Sequence, residues 1–446
     1  MSYLAAIDQL NAMVPELYTL SGQPRRKFSL DDIRVLLGAL GDPQHSFCSI
    51  LIAGTNGKGS TASTLASILA ASGLRTGLYT SPHLARVNER IRLNGEEIAD
   101  DTFAAIYFKV HDLAQQLVLE GRLPQLPSFF EFLTAQALVY FAQAGAEIAV
   151  LEVGMGGRLD ATNVVDPQIS IVTDISLDHM EWLGSTIAAI AREKAGILRS
   201  HGTLVTLPQH REASAVLGEV AGNLDVRVVN AAAYMPRLDA GAVGAYSIEA
   251  MGVEIAVDSP LIGAHQRRNV ALAIAAAVEL AGNHGIPVTP GSIAAGIRQT
   301  RWPGRIERIA KDGVEWILDV AHNPAGAWAL RQGLAGLGDA FGSQRPRTLV
   351  FSCLRDKPLA EMAQILFPLF DRVVFAPIHT ARATAMDDLL RAGRATGVSA
   401  VPSASVAEAL KFARESAPGG VVVISGSVYL VGEARSLLLE EGGGKP

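Results

Sequence analysis

Cysteine is almost missing: Cys48 and Cys353 are the only two in 446 residues, which leaves no disulfide framework and no all-cysteine zinc site, and fits a reducing compartment. Strong charge of either sign is also missing. Lys plus Arg number 38 against 44 Asp plus Glu, a formal charge of −6, so general nucleic-acid binding is not expected. The start, Met1-Ser-Tyr-Leu-Ala-Ala, has neither the basic residues nor the apolar stretch of a signal peptide. Apolar runs of membrane length are missing too, because Gln143 and Glu147 interrupt the one from Ala137 to Val153. No internal repeat occurs. The expectation is a cytoplasmic protein with no membrane or nucleic-acid partner, a monomer acting on small molecules.

What is present is a well-buried chain: 49% of residues are hydrophobic and 18% charged. Its length exceeds what one core serves, so two or three domains are expected. The recurring unit is a short apolar strand, a turn, then a helical pattern. Ser49 to Ala53, Leu74 to Thr80, Ile148 to Leu151 and Ile169 to Thr173 read as strands, and Ser60 to Ser72, Phe129 to Ala142 and Thr186 to Leu198 as helices. This alternation predicts a mainly parallel sheet. Between Val226 and Pro260 the texture turns to short alternating segments, read as a small β region, and an alanine-rich helix follows from Gln266 to Leu280. Arg301-Trp-Pro-Gly-Arg305 predicts the domain boundary. Beyond it, Glu315 to Val320, Thr348 to Ser352, Arg372 to Phe375 and Val421 to Ile424 predict a second, smaller doubly wound sheet. The expected division is residues 1–300 and 301–446, with a frayed tail at Gly442-Gly-Gly-Lys-Pro446.

Gly54-Thr-Asn-Gly-Lys-Gly-Ser60 follows a buried strand and opens a helix. Glycines let such a loop turn its N–H groups toward an anion, and the helix N-terminus adds partial positive charge. Lys58 would reach the β- and γ-phosphates of ATP, and Ser60 or Thr61 would offer a hydroxyl to Mg2+. The common phosphate-loop pattern is not met in full, since Ile52 stands for a glycine and Gly59 separates Lys58 from Ser60. Ligands of open parallel sheets sit beyond the carboxyl ends of strands, where Ser81, Glu152 and His179 also fall. Singly each has a plainer reading: a turn cap, a solvated strand end, a structural histidine.

Lys194 lies seven residues after Ile187 on a stripe with Ile190, Ala191, Ile197 and Leu198, the face expected to be buried. A buried ammonium is costly, so the amine is expected neutral or paired. A neutral amine can take up carbon dioxide to give a carbamate, an anionic metal ligand; the other reading is snorkelling, or pairing with Glu193 or Glu152. In the second domain Asp319 and His322 sit at another strand end. On local sequence alone Asp319 and Asn323 read as a turn held by their side chains.

Together Gly54 to Ser60, Thr80-Ser-Pro-His-Leu84, Glu152-Val-Gly-Met-Gly-Gly-Arg-Leu-Asp-Ala-Thr-Asn163, Asp178-His179, Arg192-Glu-Lys-Ala-Gly196, His265-Gln266 with Asn269, and Asp319-Val-Ala-His-Asn-Pro324 resemble the folylpolyglutamate synthase/dihydrofolate synthase family, a branch of the Mur-type ATP-dependent amide ligases. The likeness runs in order along nearly the whole chain. It implies an α/β fold: an N-terminal phosphate-loop, parallel-sheet ATPase domain with a small β region, and a smaller C-terminal Rossmann-like domain. It implies an ADP-forming ligase that adds L-glutamate to dihydropteroate, to folates, or to both, through an acyl phosphate. By resemblance Gly54, Thr55, Asn56, Gly57, Lys58, Gly59, Ser60, Thr61, Asn269, Arg305 and Asp319 would bind ATP. Ser81, Glu152, His179 and a carbamylated Lys194 would hold Mg2+. Lys58, Lys194 and His322 would be catalytic. Ser128, Phe129, Phe130 and Glu131, with Leu159, Asp160 and Ala161, would meet the pterin acid; Ser128 stands where a threonine is common, and Lys27 to Leu30 matches the pterin loop loosely. Two alternatives stay open: a peptidoglycan Mur ligase, for whose UDP-binding domain the 53 residues before Gly54 are too few, and a nucleotide-dependent switch without ligase activity.

Overall fold

The computed structural model describes residues 2–13, 29–236, 244–342 and 345–440. Lys27 of the loosely matched pterin loop and the Gly442–Pro446 tail lie outside the described residues.

Among the described residues sixteen strands form three sheets. The first holds β1 (Cys48–Ala53), β2 (Thr76–Tyr79), β3 (Ile91–Leu93), β4 (Glu96–Glu97), β5 (Ile148–Glu152), β6 (Ile169–Val172), β7 (Thr203–Thr206) and β8 (Arg227–Asn230), in the order β4-β3-β2-β5-β1-β6-β7-β8. From β2 to β8 all neighbours are parallel; β3 and β4 add an antiparallel edge. A hairpin of β9 (Tyr246–Ala250) and β10 (Val253–Val257) stands apart. The third sheet holds β11 (Glu307–Lys311), β12 (Val314–Asp319), β13 (Arg347–Phe351), β14 (Arg372–Phe375), β15 (Ser399–Pro402) and β16 (Val421–Ser425), in the order β11-β12-β16-β13-β14-β15, parallel except for β11.

Uniformly apolar strands are what a sheet covered on both faces requires. In β1, Ile50 and Ile52 enter one buried cluster while Leu51 and Ala53 enter the other; in β16, Val422 and Ile424 alternate in the same way with Val421 and Val423. The Lys58–Ala71 helix is made of small residues and leucines because it is enclosed nearly all round. Gly296 of the Pro290–Gln299 helix lets the two backbones meet: a Cβ there would stand 2.4 Å from Ile68 Cα.

The small β region is narrower than the sequence suggests. Arg227–Asn230 is not part of it but the last strand of the first sheet. An edge strand is covered incompletely, so its exposed pattern reads like that of a surface hairpin. The antiparallel edge strand β11 and the Asp100–Leu119 helix have no counterpart among the elements expected from sequence.

Candidate active site at the facing strand ends

Strand β1 is the pivot of the first sheet, because the chain leaves it toward β2 on one side and later lays β6 on the other. Directly after it comes the glycine loop. Gly54 has φ +152° and a Cβ there would fall 1.8 Å from Thr173 Oγ1; Gly57 has φ +88° and a Cβ would fall 2.1 Å from Asn269 Oδ1. Both positions need glycine. The loop is fixed from beyond β6: Thr55 and Asn56 donate their N–H groups to Asp174 O at 2.9 and 3.2 Å, and Asn56 Nδ2 donates to Ser176 Oγ at 3.0 Å. Asn269 sits against Gly57 and donates to Gln266 Oε1 at 2.9 Å. Ser60 and Thr61 are buried in the first turn of the helix.

Two lysines converge on this loop. Lys58 Nζ donates to the carbonyls of Gly54 and Thr55 at 3.2 and 3.4 Å. Lys194 Nζ donates to the same Gly54 carbonyl at 2.7 Å, and its side chain is buried, as the apolar stripe requires. Pairing of Lys194 with Glu193 is not what the structure shows: Glu193 Oε1 accepts from Arg158 Nη2 at 2.9 Å instead. Burial, with the Lys58 ammonium beside it, brings the Lys194 amine down to about 7, against weaker support from Asp178 and Asp160. The amine is therefore substantially neutral at physiological pH, the form that reacts with carbon dioxide.

Glu152 ends β5 and is buried. Burial raises its pKa, partly offset by Lys58, by the Ser81 N–H at 3.1 Å and by Arg305 and Arg90. Ser81, Glu152, Arg92, Trp302 and Arg305 line one cleft, closed from the C-terminal side by Val320 and Val428. Among the described residues no group of three or more His, Cys, Asp and Glu side chains is placed to hold a metal. A hydroxyl and a carboxylate beside a phosphate loop do suit Mg2+, which takes few protein oxygens and completes its shell with phosphate and water. Lys194 as an ammonium does not suit a cation site; as a carbamate it would.

His179 follows Asp178 with φ +49° at the start of the short Met180–Leu183 helix. Burial lowers its pKa to about 4, against the pull of Asp178. Asp178 is the meeting point of both sheets. Burial alone would raise its pKa, but His179, Lys357 and His322 outweigh that and hold it below the ordinary carboxylate range. Lys357, past the end of β13, donates to Asp178 Oδ1 at 2.8 Å. Asn323, past the end of β12, donates from Nδ2 to Asn56 Oδ1 at 3.2 Å and to Asp178 Oδ2 at 3.4 Å. His322 Nε2 stands 4.0 Å from Asp178 Oδ2, its pKa lowered to about 4 chiefly by burial. The carboxyl ends of the two sheets thus face each other across one cleft.

Other expected residues are occupied within the chain. Asp319 accepts from Ile306 N at 3.0 Å and Ala321 N at 2.9 Å, and Asn323 caps the Pro324–Ala335 helix by accepting from Gly326 N, so the turn read from local sequence is real. Ser128 and Glu131 form a capping box at the start of the Phe129–Gln143 helix. Asp160 accepts from Met155 N and Thr162 N, both at 3.0 Å, shaping its own loop; Leu159 is half-buried beside it and Ala161 buried. Phe130 packs on Tyr79, while the Phe129 ring lies under the Arg90 guanidinium at 5.2 Å. Sequence reasoning missed Lys357, although its place just past an apolar strand is the signal that picked out Glu152. It also missed Trp302, whose ring lies against Gly59.

Residues 52–277 match the Mur ligase middle domain, and residues 304–428 match the Mur ligase, glutamate ligase domain. A folylpolyglutamate synthase of Lacticaseibacillus casei is 36% identical over 431 residues, covering 93% of this chain and 94% of that protein. A dihydrofolate synthase/folylpolyglutamate synthase of Bacillus subtilis is 33% identical, covering 92% and 95%. Among solved structures, Mycobacterium tuberculosis folylpolyglutamate synthase complexed with ADP aligns with a TM-score of 0.87 at 33% identity, over 100% of this chain and 99% of that one.

Proposed function

Because the chain belongs to the folylpolyglutamate synthase/dihydrofolate synthase family of Mur-type ligases, we propose that its facing strand ends form one active site that activates a pterin acid with ATP and joins it to L-glutamate. It is an ATP-dependent, ADP-forming ligase. The observation that carries the finer reading is the pair of contacts from the glutamate ligase domain to the phosphate-loop side, Asn323 to Asn56 and Lys357 to Asp178.

A carboxylate is a poor acyl donor toward an amine. The acid therefore takes the γ-phosphoryl group of ATP and ADP leaves; the glutamate amine then attacks the acyl carbonyl, an amide forms and phosphate departs. Lys58 turns from the loop carbonyls to the transferring phosphoryl group and neutralises its charge, while the loop amides from Gly54 to Thr61 hold the remaining phosphates. Asn269, Arg305 and Asp319 position the nucleotide, Arg305 through its charge and Asp319 by fixing the turn that carries Arg305 and His322. Ser81, Glu152, His179 and a carbamylated Lys194 would hold Mg2+, which would supply further charge neutralisation to the phosphoryl group. His322, neutral near pH 7, offers a hydrogen bond on the glutamate side. The Phe129–Glu131 helix start and the Leu159–Ala161 loop support the pterin end, with Ser128 and Glu131 shaping its wall.

The division into residues 1–300 and 301–446 makes Arg301 to Arg305 the hinge, whose closure keeps water from the acyl phosphate. The proposed setting is a cytoplasmic monomer; among the described residues no helix is long and apolar enough to cross a membrane. Phosphate release in ATP, Mg2+ and glutamate, with dihydropteroate compared against tetrahydrofolate, tests the reading. Release that needs both an acid and glutamate supports it; release indifferent to glutamate removes it.

A further inference from the structure

Arg92 is a cation with more donors than partners. It lies on β3, its side chain is 12% exposed, and it lines the cleft that also holds Ser81 and Glu152. Its guanidinium carbon lies over the Trp302 ring, 5.9 Å from the centroid, and its one ion pair among the described residues is with exposed Glu97 at 3.6 Å, beyond hydrogen-bonding distance. Its Nε is buried, and the guanidinium has no hydrogen-bond partner among the described residues. Unpaired buried donors are costly and uncommon in folded proteins. Glu89, a carboxylate lining the cleft, is no partner: its oxygens accept from the backbone N–H groups of Leu84, Ala85 and Arg86 at 2.7 to 2.8 Å.

We propose that Arg92 binds the spectator carboxylate of an acceptor that already bears a glutamyl group, and so sets the preference between such acceptors and acids with one carboxylate. The inference rests on the reading that this cleft receives the acid to be activated. A glutamyl acceptor carries two carboxylates separated by three carbons. The reacting one enters beside Ser81 and Glu152; the other remains charged and must be met inside the same cleft. A guanidinium fork matches a carboxylate in shape and charge, and the Trp302 ring lies beside this one. The phosphate loop has its own cations in Lys58 and Arg305, which leaves Arg92 on the acceptor side. Dihydropteroate, with its single carboxylate consumed in the reaction, gives Arg92 nothing to hold.

The test is phosphate release at saturating ATP and Mg2+, comparing wild type with Arg92→Gln and Arg92→Lys. Wild-type release with either acid establishes the underlying reading and release with neither removes it, whereas release with dihydropteroate but not with a glutamate-bearing folate overturns the inference alone. Arg92→Gln is expected to raise the KM for tetrahydrofolate at least tenfold more than the KM, or inhibition constant, for dihydropteroate. Arg92→Lys keeps the charge and the stem over Trp302 and should recover part of that difference; if Arg92→Gln does not fold, the Lys variant carries the comparison. An equal rise for both acids overturns the proposal, because a purely structural role would weaken both alike. A rise confined to the KM of free glutamate also overturns it, since the carboxylate held would then be that of the incoming amino acid.

Discussion

Lys357 donates from Nζ to Asp178 Oδ1 across 2.8 Å, and this ion pair joins the loop after β13 of one sheet to the loop after β6 of the other. Both side chains are mostly enclosed, at 6% and 13% exposure, so neither charge is well served by water. Removing one partner of such a pair typically costs about 3 kcal/mol or more. Domain opening offers a cheaper escape than unfolding. Asp178→Asn is therefore expected to leave each domain folded while increasing protease cutting near Arg301 to Arg305. ATP with an acid substrate should protect the wild-type hinge; equal cutting in all states would show that the pair does not control closure.

Lys58→Ala should fold normally, since among the described residues its amine donates only to the carbonyls of Gly54 and Thr55 in its own loop. Turnover at saturating ATP should fall by at least on the order of 10²- to 10³-fold, the scale seen when one preorganised charge is removed from a transition state. Near-normal turnover would take Lys58 out of the reaction.

Acid should weaken the fold through its buried histidines. Burial is the main reason that His265 and His322 have pKa values lowered to about 4 from 6.5. Between those values the unfolded chain binds more protons than the native one, so stability rises with pH across that window and is lost as pH falls from 6.5 toward 4. His265 is the one to vary, because its Nδ1 is buried with no hydrogen-bond partner in the described residues. In urea titrations at pH 7, 6 and 5, His265→Gln should lose stability less steeply than wild type. Parallel curves would contradict the assignment.

Much of this was legible in sequence. The glycine loop, the strand ends carrying Ser81, Glu152 and His179, and the burial of Lys194 follow from period and punctuation, because local backbone demands fix them. Pairing across the cleft was not legible. Lys357 and Asp178 are 179 residues apart, and nothing near either names the other. The Lys194 partner was equally hidden: its apolar stripe shows that the amine is buried, but the Gly54 carbonyl it meets belongs to another element. Asp160 and Glu131 illustrate the reverse limit. Their residue types suit a ligand, yet their oxygens shape their own loop and helix start.

Carbamylation of Lys194 has its own signature. With the amine near 7, a carbamate should form at neutral pH, and a labile carbon-13 signal should appear on adding labelled bicarbonate and Mg2+. Lys194→Ala should be nearly inactive, with partial rescue by acetate. An unmodified amine in active, metal-loaded enzyme would sink this assignment.

If both sheets serve one acyl-phosphate reaction, an oxygen of the acid must leave with the phosphate, and oxygen tracing follows it. Dihydropteroate or tetrahydrofolate labelled with oxygen-18 in its reacting carboxylate is incubated with the enzyme, ATP, Mg2+ and glutamate. ADP, an amide product and one labelled oxygen in each phosphate released are expected, because the acid's oxygen leaves with the phosphoryl group. Unlabelled phosphate, or phosphate released without amide, would contradict it.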